Sequence, residues 1–248
     1  MIDLDKLDRP PAGFGACASC AYVETGSAPI CFACASEHIE PVAATGCETC
    51  GLPLKPDGTC GNPVCNWGED RYFDRVWAIS MRTGAMRTAI SRYKYDERVG
   101  WAGIFGRILV GFLNERREDF THNDLIIPSP SYVGEGTTRT FDHTRRIIEA
   151  AAIEEPIAWP FAFDVILKTA RSPQMVGSDW HGRKAIAEGA LRQALRIPDA
   201  DRLIDAHVLV VDDVFTEGFT IREIARALRL AGGAEVSEVV LAREPWKR

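Results

Sequence analysis

Long apolar segments are missing from this 248-residue sequence. No stretch approaches the roughly 18–20 consecutive apolar residues that a membrane-spanning helix needs. The first eight residues mix acidic and apolar side chains and do not resemble the apolar region of a secretory leader. With 46% hydrophobic and 26% charged residues, the composition predicts a soluble globular protein of one or two domains. We therefore expect a cytoplasmic protein with no membrane partner.

Basic residues are scarce in the first part of the chain. Residues 1–70 contain 3 lysines and arginines against 10 acidic residues, whereas residues 71–248 contain 26 and 25. The net charge of −6 argues against broad binding to a nucleic-acid backbone, because such binding needs clustered positive charge. A nucleic-acid partner would have to find a local patch in the second part of the chain.

Cysteine is absent from residues 66–248, and all eight cysteines lie in the acidic first part. They are Cys17, Cys20, Cys31, Cys34, Cys47, Cys50, Cys60 and Cys65. The first six form three CxxC pairs, and each pair can place two sulfurs on one tetrahedral ion. Eight thiolates thus predict two structural Zn²⁺ sites. Disulfides and an iron–sulfur centre are the alternatives, and disulfides are disfavoured in a reducing compartment.

The grouping of these cysteines stays open at this point. Sequential ribbons would join positions 17, 20, 31 and 34 at one ion and positions 47, 50, 60 and 65 at the other. A cross-braced module would join 17, 20, 47 and 50, and separately 31, 34, 60 and 65. We favour the sequential grouping.

The cysteine segment is too short to bury a large core. We therefore expect metal binding to supply most of its folding free energy, which is roughly 10–16 kcal/mol per site in zinc-finger peptides. Its expected role is scaffolding or the docking of a protein partner.

The segment Val208–Thr220 is the most informative part of the chain. Four apolar β-forming residues, 208–211, predict a buried strand, and Asp212 and Asp213 stand where that strand is expected to end. A turn then opens a helix with apolar residues at helical spacing; the turn consists of Thr216, Glu217, Gly218, Phe219 and Thr220. Helix N-terminal N–H groups and threonine hydroxyls can bind a phosphate. Paired carboxylates can accept hydrogen bonds from ribose hydroxyls or hold Mg²⁺. The alternative is an ordinary strand-to-helix turn with solvated acids.

Strands and helices alternate along residues 71–248. The patterns predict strands at 76–80, 125–127, 163–167 and 236–241, and helices at 85–95, 99–113, 140–153 and 186–195. Residues 170–183 are rich in serine, proline, glycine and aspartate, which indicates a loop. This alternation predicts an α/β fold with a doubly wound, mostly parallel sheet, which binds ligands at the carboxyl ends of its strands. The expected domains are a small Cys-rich zinc-ribbon module at 15–70 and an α/β domain at 71–248.

The acidic pair and the Thr/Gly loop resemble the signature for phosphoribosyl pyrophosphate (PRPP) of type I phosphoribosyltransferases. With the cysteine block in front, the order of motifs over about residues 15–244 resembles the ComF-like family, which joins a double zinc ribbon to a phosphoribosyltransferase domain. The resemblance implies a sheet of the type I phosphoribosyltransferase kind, with PRPP or a nucleotide and Mg²⁺ as ligands. It places the 5′-phosphate in the 216–220 loop and the ribose hydroxyls at Asp212 and Asp213. It also implies a link to DNA uptake in competence.

Six further positions enter through the same resemblance. Lys94 lies in a Tyr-Lys-Tyr sequence similar to a family motif, and Ser129 and Pro130 belong to a Pro-x-Pro turn expected to face pyrophosphate. Arg139 begins a sequence similar to the family's Arg-Gly-Phe-Asn-Gln. Arg171 and Arg183 resemble its Arg/Gln/Arg stretch, and a guanidinium suits pyrophosphate. The alternatives are solvated helix residues at 94, 139 and 143, and a solvated loop around Arg171.

Glu217 departs from the family, which has a neutral Thr or Ser in this loop. Its carboxylate is either a general base toward a nitrogen nucleophile or a first-turn acid that interacts favourably with the helix dipole, and we favour the second. The expected function is phosphoribosyl transfer to an unknown acceptor. The alternatives are a non-catalytic sensor of PRPP or a nucleotide and a protein associated with single-stranded DNA, on which Trp67, Trp77 and Trp101 could stack.

Overall fold

The computed structural model describes residues 39–40, 42, 46–96, 99–137, 140–155, 159–175 and 177–245. Six strands lie in this part of the chain: β1 Val76–Met81, β2 Leu125–Pro128, β3 Leu167–Lys168, β4 Leu195–Arg196, β5 His207–Phe215 and β6 Glu235–Arg243. Four of them form a parallel sheet in the order β1–β6–β5–β2, and β3 and β4 form a separate antiparallel ribbon. The predicted parallel sheet is confirmed.

Five helices connect these strands: α1 Gly84–Tyr95, α2 Trp101–Glu115, α3 His143–Glu154, α4 Trp180–Ile186 and α5 Phe219–Leu230. Helix α4 continues through a π-helical turn, Ala187–Leu191, into a last helical turn, Arg192–Ala194. A single helical turn, Arg117–Phe120, follows α2. Within the described residues, no helix has the length and apolar character needed to cross a membrane.

Apolar side chains cover both faces of the sheet. Leu209 and Val211 of β5 belong to a core with residues of α1, α2 and α3. Val208 and Val210 face the other way, into a core with residues of α5 and of the cysteine segment. A strand buried on both faces reads as a continuous apolar run, which explains the sequence of residues 208–211. The fold is therefore doubly wound, as predicted.

The described part of the cysteine segment packs beside this second core. Two 3₁₀ turns, Pro63–Asn66 and Gly68–Arg71, connect it to β1. The backbone carbonyl of Thr49 accepts a hydrogen bond from the Val76 N–H at 2.7 Å, and the buried guanidinium of Arg243 donates to the Cys50 carbonyl. The segment is thus bonded directly to β1 and β6.

One strand boundary differs from the prediction. Asp212 and Asp213 do not follow β5 but lie inside it, because β5 continues to Phe215. Pairing with β6 extends it: Asp212 is opposite Val240 and Phe215 is opposite Arg243. On its other side β5 loses its partner earlier, since the last residue of β2 pairs with Val211. The carboxylates therefore project where the sheet narrows from four strands to three.

Two other segments also differ from the prediction. The strand expected at 163–167 is only the two-residue β3, preceded by an isolated bridge from Phe161 to Ile126. The helix expected at 186–195 begins earlier, at Trp180, inside the predicted loop. The side chain of Asp179 accepts a hydrogen bond from the Gly182 N–H at 2.8 Å, and this N-cap starts the helix.

Candidate functional site

The loop between β5 and α5 presents an open helix N-terminus. Residues 216–218 form a bend, and α5 begins at Phe219 with no side chain capping it. Gly218 has φ +95°, and a Cβ there would lie 2.9 Å from the Phe215 ring, so both the backbone and the space require glycine. The free first-turn N–H groups of α5 can therefore bind an anion.

Glu217 is held by two contacts. Arg183 donates to its carboxylate at 3.0 Å, and the side chain of Asn62 donates to its backbone carbonyl at 3.0 Å. Arg183 also donates to the Ser178 carbonyl at 3.0 Å. The Glu217 carboxylate, which distinguishes this loop from the phosphoribosyltransferase motif, is thus paired with the Arg183 guanidinium.

Asp213 lies in the interior, between two basic side chains. Its Oδ2 is 2.6 Å from Nζ of Lys94 on α1 and 2.7 Å from Nε2 of His143, the first residue of α3. Burial raises the pKa of this carboxyl, but the charges of Lys94 and His143 outweigh burial and hold it well below its usual value. Asp213 is therefore an ionised anchor for α1 and α3.

Asp212 has the opposite electrostatic environment. It accepts a hydrogen bond from the Asp213 N–H at 2.7 Å, and its carboxyl is half-buried beside Ser129. Loss of hydration and the neighbouring Asp213 charge raise the pKa of Asp212 to about 7. Two adjacent carboxyls with pKa values shifted in opposite directions are typical of functional sites.

Glu238 was not predicted from the sequence. It lies on β6, is 2% exposed, and its Oε2 has no hydrogen-bond partner among the described residues. Burial and the charges of Asp212 and Asp213 raise its pKa well above the usual value. The only sequence signal was a single acid within the apolar strand predicted at 236–241.

Two adjoining cavities, of about 560 and 310 Å³, open at the carboxyl ends of the strands. The larger is lined by Arg183, Glu217, Gly218, Phe219 and Glu238. The smaller is lined by Lys94, Ser129, Pro130, Arg171 and Asp213. Asp212, Thr216 and Thr220 line both. The structure thus brings together the predicted binding residues except Arg139, which lies outside the described residues.

Arg82 and Phe219 also line the cavities. Arg82 directly follows β1, lines both cavities and pairs with Glu244 at 2.6 Å, and it was not predicted from the sequence. Its position after a strand, at the edge where parallel strands end, was the available signal. Phe219 lines the larger cavity, but it is 3% exposed and its ring packs against Trp67 and Trp180 at 5.9 and 5.5 Å.

Four cysteines form a candidate metal centre beside this loop. The sulfurs of Cys47, Cys50, Cys60 and Cys65 lie within 4.8 Å of one another, and the cysteines are not disulfide-bonded. Cys50 Sγ and Cys60 Sγ are 3.7 Å apart. Thiolates around tetrahedral Zn²⁺, at about 2.3 Å from the metal, are separated by about 3.8 Å. The donor set therefore fits Zn²⁺.

This group is one of the two sets expected from sequential ribbons, and it is not a cross-braced set. The other set, Cys17, Cys20, Cys31 and Cys34, lies outside the described residues.

Comparison with solved structures shows similarity to phosphoribosyltransferases. A hypoxanthine-guanine phosphoribosyltransferase from Leishmania tarentolae in complex with GMP overlaps 60% of this chain and 68% of its own, with 15% identity and a TM-score of 0.33. A hypoxanthine phosphoribosyltransferase from Staphylococcus aureus overlaps 57% and 64%, with 13% identity and a TM-score of 0.34. Scores this low describe a loose overlap and do not define a ligand.

Among curated proteins, the chain is similar to the DNA utilization protein YhgH of Salmonella typhimurium. The two are 24% identical over 220 residues, which is 86% of this chain and 90% of the relative. The protein of the same name from Salmonella typhi matches over the same share at 24% identity. No family model matches the chain.

Proposed function

We propose that this protein is a ComF-like phosphoribosyltransferase that binds PRPP with Mg²⁺ and transfers phosphoribosyl to an acceptor. One observation carries the proposal: an uncapped helix N-terminus and the half-buried carboxyl of Asp212 face the same pair of cavities. The first can bind a phosphate and the second ribose hydroxyls, so the two groups together suit a sugar phosphate.

In this proposal each part of PRPP has its own partners. The 5′-phosphate lies against the N–H groups of α5 and the hydroxyls of Thr216 and Thr220. Asp212 accepts hydrogen bonds from the ribose hydroxyls. Pyrophosphate lies at the Ser129–Pro130 turn, with Lys94 and the guanidinium groups of Arg82, Arg139, Arg171 and Arg183 as candidate partners. Mg²⁺, with Asp212 as a protein ligand, would neutralise charge on the pyrophosphate oxygens.

Transfer forms a bond from the acceptor to the anomeric carbon and breaks the bond from that carbon to pyrophosphate, which leaves with the electron pair. Positive charge develops on the ribose ring, and an acidic site stabilises it. Asp212 faces that ring, whereas Asp213 is held by Lys94 and His143. Glu217 is paired with Arg183, so we assign it to positioning this arginine rather than to proton transfer.

The cysteine segment has two roles in this proposal. Residues 15–70 form a module with two structural Zn²⁺ ions that packs against the phosphoribosyltransferase-like domain at 71–248. Its outer surface docks a protein partner, and its inner surface supports the phosphate loop, because Asn62 bonds to Glu217 and Trp67 packs on Phe219.

Calorimetric titration with PRPP and Mg²⁺ tests the proposal. We expect binding by the wild-type protein and at least about tenfold weaker binding by Thr220→Val, because a hydroxyl donor to a charged phosphate contributes about 1.5–3 kcal/mol. Thr88→Val, on the exposed surface of α1, is the matched control and should bind like wild type. Absence of any heat with the wild-type protein would overturn the proposal.

Pyrophosphate release in the presence of candidate nucleobases then separates an enzyme from a sensor. Release with one base and not with others identifies a transferase and its acceptor. Tight PRPP binding without release by any acceptor favours the sensor of PRPP or a nucleotide.

A role with DNA is the second candidate, and the two curated relatives named for DNA utilization favour it. Binding to a single-stranded oligonucleotide should then weaken steeply with salt, because lysines and arginines release counterions when they contact phosphates. If the oligonucleotide does not bind at low salt, or if its affinity does not change with salt concentration, this candidate is ruled out.

A further inference from the structure

A second group of metal-ligating side chains lies at the opposite end of the sheet from the cavities. It consists of His122, His207 and Glu235, whose ligand atoms lie within 4.8 Å of one another. His207 and Glu235 are the first residues of β5 and β6. Asp212 lies five residues further along β5, about 17 Å away at 3.3 Å per residue. The group is therefore separate from the proposed PRPP site and does not depend on it.

The backbone holds the three side chains in place. His207 and Glu235 are register partners on adjacent parallel strands, so both side chains project from the same face. The Asp124 carboxylate accepts the His207 N–H at 2.9 Å, and the His207 carbonyl accepts the Asp124 N–H at 2.9 Å. These bonds fix the loop that carries His122. Sites built on strands and bonded loops keep their ligands at defined distances.

The distances within the group suit a first-row transition metal. Nε2 of His122 and Oε1 of Glu235 are 3.4 Å apart. Two ligands at about 2.0–2.1 Å from a tetrahedral Zn²⁺ are separated by about 3.3–3.4 Å. The imidazole rings of His122 and His207 have centroids 5.6 Å apart at an interplanar angle of 69°, so they converge without stacking. The Ser237 hydroxyl donates to Glu235 Oε1 at 3.3 Å and orients the carboxylate.

We propose that His122, His207 and Glu235 form a binding site for one divalent transition-metal ion of the Zn²⁺ type. Two imidazoles and one carboxylate favour Zn²⁺, Co²⁺ or Ni²⁺ over Mg²⁺ and Ca²⁺, which prefer all-oxygen ligands. The side chains of His122 and Glu235 are 41% and 33% exposed, so an ion can enter from solvent. Three protein ligands leave a coordination position for water or for a ligand atom of another molecule.

Co²⁺ uptake by zinc-saturated protein tests this site, because its visible absorption distinguishes ligand types. The full chain is loaded with Zn²⁺, washed with a weak chelator that strips the exposed histidine–carboxylate site but leaves the thiolate sites filled, checked by zinc analysis, and then titrated with Co²⁺. We expect one further equivalent per chain, with visible bands and no thiolate-to-cobalt charge-transfer band in the near ultraviolet. Uptake accompanied by that band would mean exchange at the cysteines, and no uptake would mean a metal-free ion pair. Either outcome overturns the proposal.

Variants assign the ligands. His207→Ala and Glu235→Gln should each weaken Co²⁺ binding by at least about tenfold, since even loss of an outer-shell partner costs 10–100-fold. Glu235→Gln keeps the side chain's size and the Ser237 contact, so it serves if the alanine variant folds poorly. His181→Ala, an exposed histidine outside the group, is the control and should match wild type. Equal affinities for wild type and Glu235→Gln would also refute the site.

Discussion

At the residue scale, the neighbouring carboxyls of Asp212 and Asp213 have opposite electrostatic environments. Asp213 contacts two basic groups and keeps its charge, whereas Asp212 projects toward the cavities with its pKa raised to about 7. Burial and the charges of both aspartates raise the pKa of Glu238, behind them on β6, well above its usual value. A ligand that brings positive charge to Asp212 would relieve this repulsion, which is what a site for Mg²⁺ or a developing cation requires.

We expect the isosteric substitutions Asp212→Asn and Asp213→Asn to change the free energy of unfolding in opposite directions. The folded-state pKa of Asp212 is raised, so its ionisation destabilises the fold increasingly from about pH 4 and fully above about pH 7. Asp212→Asn should therefore raise the free energy of unfolding by roughly 2 kcal/mol at pH 8 and by less as pH falls.

Asp213 has a depressed pKa in the folded protein. The stability that its ionised form contributes is fully present above the pKa of the unfolded state and is lost as pH falls through the pKa of the folded state. Asp213→Asn should therefore destabilise the protein at pH 8, since Lys94 loses its partner.

Denaturant unfolding of both variants from pH 5 to 8 measures these differences. A destabilised Asp212→Asn at pH 8 would contradict the proposed environment of Asp212. The same variant should lose PRPP binding, which separates its effect on stability from its effect on the ligand.

Contact between the cysteine segment and the loop at residues 216–218 is the main feature at the element scale. The Asn62 side chain is fully buried, accepts a hydrogen bond from the Val64 N–H and donates to the Glu217 carbonyl. Trp67, five residues later, packs on Phe219 at the start of α5 and on Trp180 at the start of α4. The geometry of the loop thus depends on a segment that, at the Asn62–Glu217 contact, lies 155 residues away in sequence.

Removing the Asn62 side chain should weaken ligand binding without loss of metal. Asn62→Ala leaves the Glu217 carbonyl without its donor, at a cost of about 1 kcal/mol, so PRPP affinity should fall about fivefold. Zinc content, measured by atomic emission, should not change. Lys55→Ala, exposed on the same segment, is the matched control. Equal PRPP affinities for the two variants would show that the segment does not position the loop.

The boundaries of helices and strands can be predicted where nearby residues set them, and not where a distant segment does. Helix α5 and the Gly218 turn follow from local spacing and were predicted, whereas the end of β5 was placed at Val211 and lies at Phe215. Pairing with β6 extends this strand, and a pairing partner cannot be read from the strand's own residues. The start of helix α4 was misplaced for a different reason: the Asp179 N-cap lies in a segment whose composition indicates a loop.

At the scale of the whole molecule, the candidate metal centre shares an apolar core with the doubly wound sheet. Cys50 and Cys60 belong to the same apolar cluster as Val208, Val210 and residues of α5. The Arg243 guanidinium, 1% exposed on β6, donates to the Cys50 carbonyl. Loss of metal should therefore affect the stability of the sheet as well as that of the segment.

Chelation of the metal should lower the unfolding temperature of the entire protein. We expect a decrease of roughly 10 °C or more, because each kcal/mol corresponds to about 2–4 °C in a chain of this size and structural Zn²⁺ contributes several. Scanning calorimetry with and without a zinc chelator measures the effect, and added Zn²⁺ should reverse it. If the main transition were unchanged while zinc was released, the segment would be energetically independent of the sheet.

The sequence by itself determined the features that depend on local spacing: the CxxC pairs, the apolar run of residues 208–211 and the turn that leads into α5. Local patterns suffice there because turns, helix starts and metal knuckles are formed by residues close in the chain. Only the tertiary structure decided that Lys94 and His143 hold Asp213, that Glu238 lies behind the acidic pair, and that His122, His207 and Glu235 converge. Strand order and register bring these groups together, and both depend on pairing between distant segments, which no local pattern specifies.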